Sequence, residues 1–277
     1  MLISIYMPTF NRLELLKRAI ESVKQQTYKN IELIIVNDNS NDGTYEYLNS
    51  IQSDRLKVIH NTTNKGACEC RNIAISVAKG EYLTGLDDDD YFHTSRIESF
   101  VNAASSSLDS NIVGFFDDSI IIKRTGTQVK TKRNSKVYVT DLYKENKIGN
   151  QLFIKKSLIQ CHLFDPAFPL WQDWDAWLTL IKKHPLTSYY KNIHMGSYYV
   201  DLTHDHERIT DKSLVRVEKA FDLFLSKHSD VIMNKKRVRV SLINYDNYIM
   251  RVKDYLLLLI FFKYRILFRK IILAISK

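Results

Sequence analysis

Two periodicities alternate along the N-terminal part of this chain. Leu2–Met7 is a largely apolar run that reads as a buried strand, with Pro8 expected to end it. Leu13, Leu16, Ile20 and Val23 then recur at helical spacing as far as Gln26. Ile31–Val36 predicts a second buried strand, closing on Asn37-Asp38-Asn39-Ser40. Asp42 and Gly43 open a short helix through Leu48 and Ile51, and Leu56–His60 is a third strand. Ala67–Ala78 predicts a helix that Gly80 would stop in the left-handed conformation, and Tyr82–Leu86 a fourth strand. Strands alternating with helices in this way predict an α/β fold, a parallel sheet wrapped by helices.

Beyond this repeat the pattern loosens. Ile112–Phe116 predicts a strand, Ile120–Lys123 and Val129–Lys132 a hairpin around Gly126, and Leu152–Ile154 another short strand. Asp173–Ile181 predicts a helix carrying Trp174, Trp177 and Leu178, with Pro185 ending it. From Lys212 onward the spacing is helical, including Val215, Ala220, Phe221 and Phe224. The expected division is therefore a catalytic domain over 1–210 and a helical C-terminal extension over 211–277.

Polar clusters fall where the strands end: Pro8–Arg12, Asn37–Ser40, Asn61–Gly66 and Asp87–Asp90. In open parallel sheets ligands bind at the carboxyl ends of the strands. Capping explains part of Asn39–Gly43, but neither Asp38 nor the aspartate run. Adjacent carboxylates repel unless a cation or hydrogen-bond donors share the site. An extended backbone would aim Asp87 and Asp89 one way and Asp88 and Asp90 the other. Hard oxygen ligands beside a phosphate suit Mg²⁺ or Mn²⁺, whereas the plain alternative is a solvated acidic loop.

Composition adds one constraint. Hydrophobic and charged contents are ordinary for a globular chain, but the net charge is +9, which favours a polyanionic partner. Cys68, Cys70 and Cys161 form neither a disulfide framework nor a zinc pattern, which points to a reducing compartment. Met1 runs directly into the first strand without a charged leader, so no signal peptide is expected. Leu256–Phe262 is wholly apolar, and Lys263, Arg265, Arg269 and Lys270 follow. That run is far short of the ~20 residues a spanning helix needs. Leu256–Ile275 is expected to be an interfacial segment on an anionic membrane surface; the alternative is a helix packed on the catalytic domain.

Five segments together resemble the family 2 glycosyltransferases, inverting enzymes with the GT-A fold. They are Pro-Thr-Phe-Asn-Arg (Pro8–Arg12), Val36–Thr44, Asn64–Asn72, Lys79–Asp90 and Trp171–Leu178. The resemblance covers about 1–210, and implies a nucleotide-sugar half over about 1–117 and an acceptor half over about 118–210. It implies a divalent cation, Mn²⁺ or Mg²⁺, on Asp89, with Asp90 contributing from behind. Asp87 is then expected near the ribose, Asp38 on the base, and Pro8, Thr9, Phe10, Arg12 and Asp88 around the nucleotide. Arg71 is expected near the diphosphate, against the alternative of a surface ion pair.

The later motif supplies the expected general base, Asp173, which also reads as a helix N-cap. Gln172 replaces the usual Glu of the family, and Thr179 stands where relatives often carry Arg. Asp175 competes for the same role but would point about 200° away on a helix. Trp171, Gln172, Trp174 and Asp175 are expected on the acceptor side, and Trp177 in the core. In the segment Asp201–Thr210, His204 is expected to reach the metal, with His206 second.

The implied activity is metal-dependent, inverting transfer of a hexose from a UDP-linked donor to a hydroxyl of a glycan or lipid-linked acceptor. Its implied setting is bacterial polysaccharide assembly, O-antigen or capsule, on the cytoplasmic face of the inner membrane. A nucleic-acid-binding module would explain Lys130–Lys136 and Lys235–Arg239, but the basic residues are spread along the chain and no such motif is present. A nucleotidyltransferase on a similar sheet would want a Gly-rich basic loop where Pro8–Arg12 stands.

Overall fold

A computed structural model describes residues 1–150, 152–159, 163–206, 214–232, 234–245, 248 and 250–275. Cys161 and residues 207–210 of the late motif lie outside these. The chain forms two compact units: Met1–Val139 with Lys147–Pro166 and Gln172–His206, and Thr140–Asn146 with Ala167–Trp171 and Glu207–Lys277.

The first unit opens with β1 (Ile3–Thr9), α1 (Leu13–Lys24), β2 (Ile31–Asn37), α2 (Thr44–Ser50), β3 (Leu56–His60), α3 (Ala67–Val77) and β4 (Tyr82–Gly85). It continues through β5 (Tyr91–Phe92), α4 (Arg96–Ser106), β6 (Ile112–Phe116), β7 (Ser119–Ile122), β8 (Gln128–Lys130) and β9 (Lys136–Tyr138). After α5 (Val139–Leu142) come β10 (Phe153–Lys155), α6 (Gln172–Ile181), β11 (Tyr189–Asn192) and β12 (Tyr198–Asp201). The large sheet runs β3-β2-β1-β4-β10-β6-β11-β9, and β10 and β9 lie antiparallel to their neighbours. A smaller sheet runs β5-β12-β7-β8.

The four leading strands are parallel, and β1, β2 and β4 are covered on both faces, which is why they read as near-continuous apolar runs, whereas β3 at the sheet edge is half-exposed. Every residue of β1 is buried. Helix α1 turns Leu16, Ala19, Ile20 and Val23 onto this sheet, and Phe153 stacks between Tyr82 and Phe100 at 4.8 and 5.0 Å. The hairpin around Gly126 forms as the antiparallel pair β7–β8.

Three local expectations are corrected. Pro8 does not end β1, which pairs with β2 as far as Thr9 opposite Asn37. Its missing N–H falls on the β4 side, where pairing has already stopped at Tyr6 opposite Gly85, so no ladder bond is lost. Gly80 is not a left-handed helix stop, because α3 ends at Val77. A Cβ at Gly80 would lie 2.5 Å from Ser4, so this glycine permits close passage beneath β1. Strand β4 ends at Gly85, so the aspartate run lies in a turn beyond the strand.

The second unit contains α7 (Leu214–Lys227), α8 (Lys235–Ile243), α9 (Val252–Ile260) and α10 (Tyr264–Ile275) around Leu170, Val217, Ala220, Ile243, Leu257 and Leu258. Asp254 is fully buried and accepts hydrogen bonds from Arg239 Nε at 2.8 Å, Tyr248 Oη at 3.0 Å and the Arg251 amide at 2.9 Å. Leu256–Ile275 is not one continuous helix. The chain bends between α9 and α10, where Phe262 has φ +54°. No described helix is long and apolar enough to cross a membrane.

Trp171 belongs to this unit. Its indole meets Phe221 and Phe224 edge-on and donates to Tyr245 Oη at 2.9 Å. Its ring and N–H are thus engaged within this helical unit, whereas the sequence motif put Trp171 on the acceptor side.

Candidate active site

The carboxyl ends of β1, β2 and β4 meet over one floor. Gly85 ends β4 beneath the Tyr6 ring, and a Cβ there would lie 2.5 Å from that ring. The chain then turns, with the Asp90 amide donating to the Asp87 carbonyl at 3.1 Å. A turn breaks the two-residue alternation of an extended chain. The expected pairing of Asp87 with Asp89 against Asp88 with Asp90 is therefore replaced by a three-to-one split. Asp87, Asp89 and Asp90 bring one oxygen each within 4.8 Å of one another. Asp88 turns instead to Arg12 Nη1 at 2.9 Å and the Phe10 amide at 3.4 Å. Burial pushes the Asp88 carboxyl up to about 6 against the pull of Arg12.

Arg12 serves both Asp88 and Asp89, while Asp87 and Asp90 have donors of their own. Asp87 accepts from Arg71 Nη2 at 2.9 Å and Asn150 Nδ2 at 2.8 Å. Arg12 Nη1 reaches Asp89 Oδ2 at 3.1 Å, and His204 Nε2 stands 3.7 Å from the same oxygen. His206 has its ring 6.0 Å from that of His204. Asp90, fully buried, accepts from Tyr198 Oη at 2.8 Å and from the Asp201 amide at 3.1 Å. Arg18 donates to the Asp89 carbonyl at 2.8 Å and pairs with Asp201 while lying over the Tyr91 ring at 4.8 Å.

The donor set of three carboxylates with an imidazole beside them is hard and anionic, which fits a small divalent cation such as Mn²⁺ or Mg²⁺. Both oxygens of Asp90 are held by Tyr198 and Asp201, and both of Asp87 by Arg71 and Asn150.

Arg71 sits one turn into α3 with its side chain 12% exposed, so the surface ion pair is excluded. Its guanidinium joins Asp87 to Gln172 Oε1 at 2.8 Å and lies 5.4 Å over the Phe164 ring. Burial works against its charge, but the Asp87 carboxylate outweighs this and raises its pKa. The neutral Gln172 at the start of α6 thereby accepts from the same cation that pairs with Asp87. Asp173, the next residue, is half-buried in the first turn of α6 and close enough to act on the Tyr6 phenol and the Arg133 guanidinium. Because α6 begins at Gln172, Asp173 lies inside the helix and is not its N-cap.

Asp38 is buried at the end of β2 and draws in the loop after β3. Its carboxylate accepts from the Lys65 and Gly66 amides at 2.8 and 2.7 Å and from Asn61 Nδ2 at 2.8 Å. Thr9 is buried and its carbonyl accepts from the Asp38 amide at 2.9 Å, while Phe10 is 44% exposed at the rim.

The two α6 residues expected on the acceptor side together with Gln172 are both buried. Trp174 and Asp175 are enclosed on the inner face of α6, 2% and 0% exposed, so neither side chain meets solvent. Trp177 is core, as expected, with its N–H donating to the Gly149 carbonyl at 2.8 Å.

Tyr6, Arg18, Asn150 and Tyr198 carry no sequence signal for this site; each comes from a segment far in sequence from the aspartate turn. Tyr198 is held by a buried support. Arg96 is fully enclosed, with its guanidinium 4.8, 4.7 and 5.1 Å over the Phe92, Phe100 and Tyr198 rings and 3.7 Å from Asp117. Asp117 accepts from the Gly196 and Ser197 amides at 3.0 and 2.7 Å, fixing the entry to β12.

The family model described as glycosyl transferase family 2 matches residues 4–162, more than half of the chain. The chain belongs to glycosyl transferase family 2. Among curated proteins this transferase is 36% identical over 192 residues to WcaA of Escherichia coli K12, assigned to colanic acid biosynthesis, spanning 66% of this chain and 67% of that one. It is 41% identical over 101 residues to WfaP of Escherichia coli, named as a UDP-Glc:α-D-GlcNAc-diphosphoundecaprenol β-1,3-glucosyltransferase, but the match spans 36% of this chain and 40% of that relative. The crystal structure of Staphylococcus aureus TarS 1-349 in complex with UDP-GlcNAc superposes with TM-score 0.64 at 17% identity, covering 88% of this chain and 72% of that one. The transferase thus has the mixed α/β GT-A-type fold with helices C-terminal to it.

Proposed function

We propose that this glycosyltransferase moves a hexose from a UDP-linked donor to a hydroxyl of a lipid-linked glycan, with inversion and with a divalent cation, in the assembly of a bacterial surface polysaccharide. The observation that carries the proposal is the bridge Asp87–Arg71–Gln172. One buried cation ties the carboxylate cluster to the helix that presents Asp173. WfaP's name supplies the reaction class, since its donor is a UDP-sugar and its acceptor a diphosphoundecaprenol-linked sugar.

In this reading Asp89, Asp87 and His204 hold the cation, with Asp90 fixed behind them by Tyr198. The cation would neutralise charge on the diphosphate leaving group. Arg12 and Arg71 supply fixed positive charge on the same side, and Pro8, Thr9, Phe10 and Asp38 bound the nucleotide pocket. Asp173 takes the proton from the acceptor hydroxyl as general base. The burial of Asp175 supports Asp173 over its neighbour, because a base must reach the acceptor.

The test is UDP release from UDP-hexoses in Mn²⁺ with a polyprenyl-diphosphate GlcNAc acceptor. Transfer should be abolished by excess chelator and by Asp89→Ala, which should also weaken UDP binding in Mn²⁺. Undiminished transfer by Asp89→Ala in chelator would reject the metal-dependent reading.

A further inference from the structure

The outer face of the C-terminal hairpin has no part in sugar transfer. Along α9, Val252, Leu256, Leu259 and Ile260 recur at i, i+4, i+7 and i+8, which places them on one helix face. They are 81, 57, 45 and 65% exposed, whereas Leu257 and Leu258 on the opposite face are buried. At the bend Phe262 is 75% exposed, and on α10 Phe268 is 64% exposed. Isolated exposed apolar residues need no explanation, but a run continuing across two helices and their turn marks an interaction surface.

Charge identifies the occupant. From Tyr248 to the end of the sequence the only acidic side chain is Asp254. It is fully buried and occupied by Arg239 and Tyr248. Glu145 pairs with Lys263 Nζ at 2.9 Å beside the bend, but along α9 and α10 themselves the exposed charged side chains among the described residues are Arg251, Lys253, Arg265 and Arg269. A second copy of this chain would bring the same positive charge to the contact. An apolar face bordered by Arg251, Lys253, Arg265 and Arg269, with the one neighbouring carboxylate described, Glu145, already paired to Lys263, complements an anionic lipid surface, with its acyl boundary and negative headgroups. At 9 and 12 residues, α9 and α10 span only about 14 and 18 Å at about 1.5 Å per residue, too short to cross a bilayer.

We propose that the α9–α10 hairpin docks in the plane of an anionic bilayer. Leu256, Ile260, Phe262 and Phe268 enter the acyl boundary while Arg251, Lys253 and Arg265 meet the headgroups. The bend lets Phe262 lead, since its positive φ turns the chain between the helices. Docking needs neither donor nor cation, so it stands apart from the sugar-transfer proposal.

The test uses the full chain and flotation with vesicles of phosphatidylglycerol and phosphatidylcholine, against vesicles of phosphatidylcholine alone. Binding is expected to the anionic vesicles and should weaken at least about tenfold between about 0.05 and about 0.5 M salt. Phe262→Ser with Phe268→Ser should lower vesicle affinity by about tenfold or more, and Lys253→Glu with Arg265→Glu likewise, with the melting temperature unchanged. UDP binding in Mn²⁺ should match wild type in both, which shows the first unit intact. The proposal is overturned if the full chain ignores anionic vesicles at low salt, or if the serine variant floats as well as wild type. It is equally overturned if light scattering shows a dimer that the serine variant splits while vesicles stay unbound, which would make the face a self-contact.

Discussion

Tyr198→Phe removes one oxygen from the centre of the site and leaves the ring. That ring keeps its edge contact with Phe92 at 5.7 Å and its place under Arg96, so packing is nearly conserved. Burial first, and then the neighbouring Asp90 and Asp87 carboxylates, hold the phenol's pKa well above its ordinary value. The hydroxyl therefore keeps its proton and donates it to Asp90 at 2.8 Å. Hydrogen bonds to charged groups contribute roughly 1.5–3 kcal/mol. Asp90 keeps the Asp201 amide, so the lower part of that range is expected, about 1.5–2 kcal/mol or a factor of about 10–30. In chelator, urea unfolding should report this loss directly. In titrations with MnCl₂, loss of the group orienting a ligand-bearing turn should weaken affinity by about 10- to 100-fold. The same hydroxyl accepts from Asn150 Nδ2 at 3.4 Å and from the Asp87 amide at 3.5 Å, so the Asp87 side loses two long contacts while Asn150 retains its 2.8 Å bond to the Asp87 carboxylate. Wild-type stability together with wild-type Mn²⁺ affinity in Tyr198→Phe would refute the assignment of Tyr198 as a positioning residue.

Asp173→Asn preserves shape and removes the basic oxygen. Turnover should fall by roughly two to four orders of magnitude with UDP binding unchanged, and wild-type turnover in steady-state assays would reject Asp173 as the base. A different carboxylate governs acid stability. Burial raises the pKa of Asp118, but hydrogen bonds from Asn192 and His194 and from the Arg133 amide outweigh it, so the group is held below its ordinary value. A depressed folded-state pKa gives stability that is present above the unfolded value near ~3.9 and lost as pH falls through the folded value. Asp118→Asn should therefore lower stability in urea melts at pH ~7, and its deficit should shrink below pH ~4; a deficit independent of pH would contradict this linkage.

The amino-acid sequence by itself determined the N-terminal α/β repeat and the gathering of polar residues at its strand ends. Parallel strands buried on both faces must be apolar throughout, so β1, β2 and β4 announce themselves within a few residues. The loops at their carboxyl ends carry the polar residues that such strands cannot, which made Asp38 and Asp87–Asp90 legible as a site. Gly126 marked the β7–β8 hairpin for an equally local reason. Only the tertiary structure decided what depends on residues distant in sequence. Leu152–Ile154 was legible as a short strand, but its place antiparallel between β4 and β6 was not, since three positions carry no record of their partners. The direction of each aspartate was set by where β4 stopped, and the stop depends on the pairing of β1 rather than on the acidic run itself. The family motif put Trp174 and Asp175 on the acceptor side, and in the fold both side chains are buried on α6. Tyr198 reaches Asp90 across 108 positions of sequence. A local pattern reports the burial of a backbone segment, whereas the meeting of two side chains from separate strands is set by topology and register, which no single stretch of sequence contains.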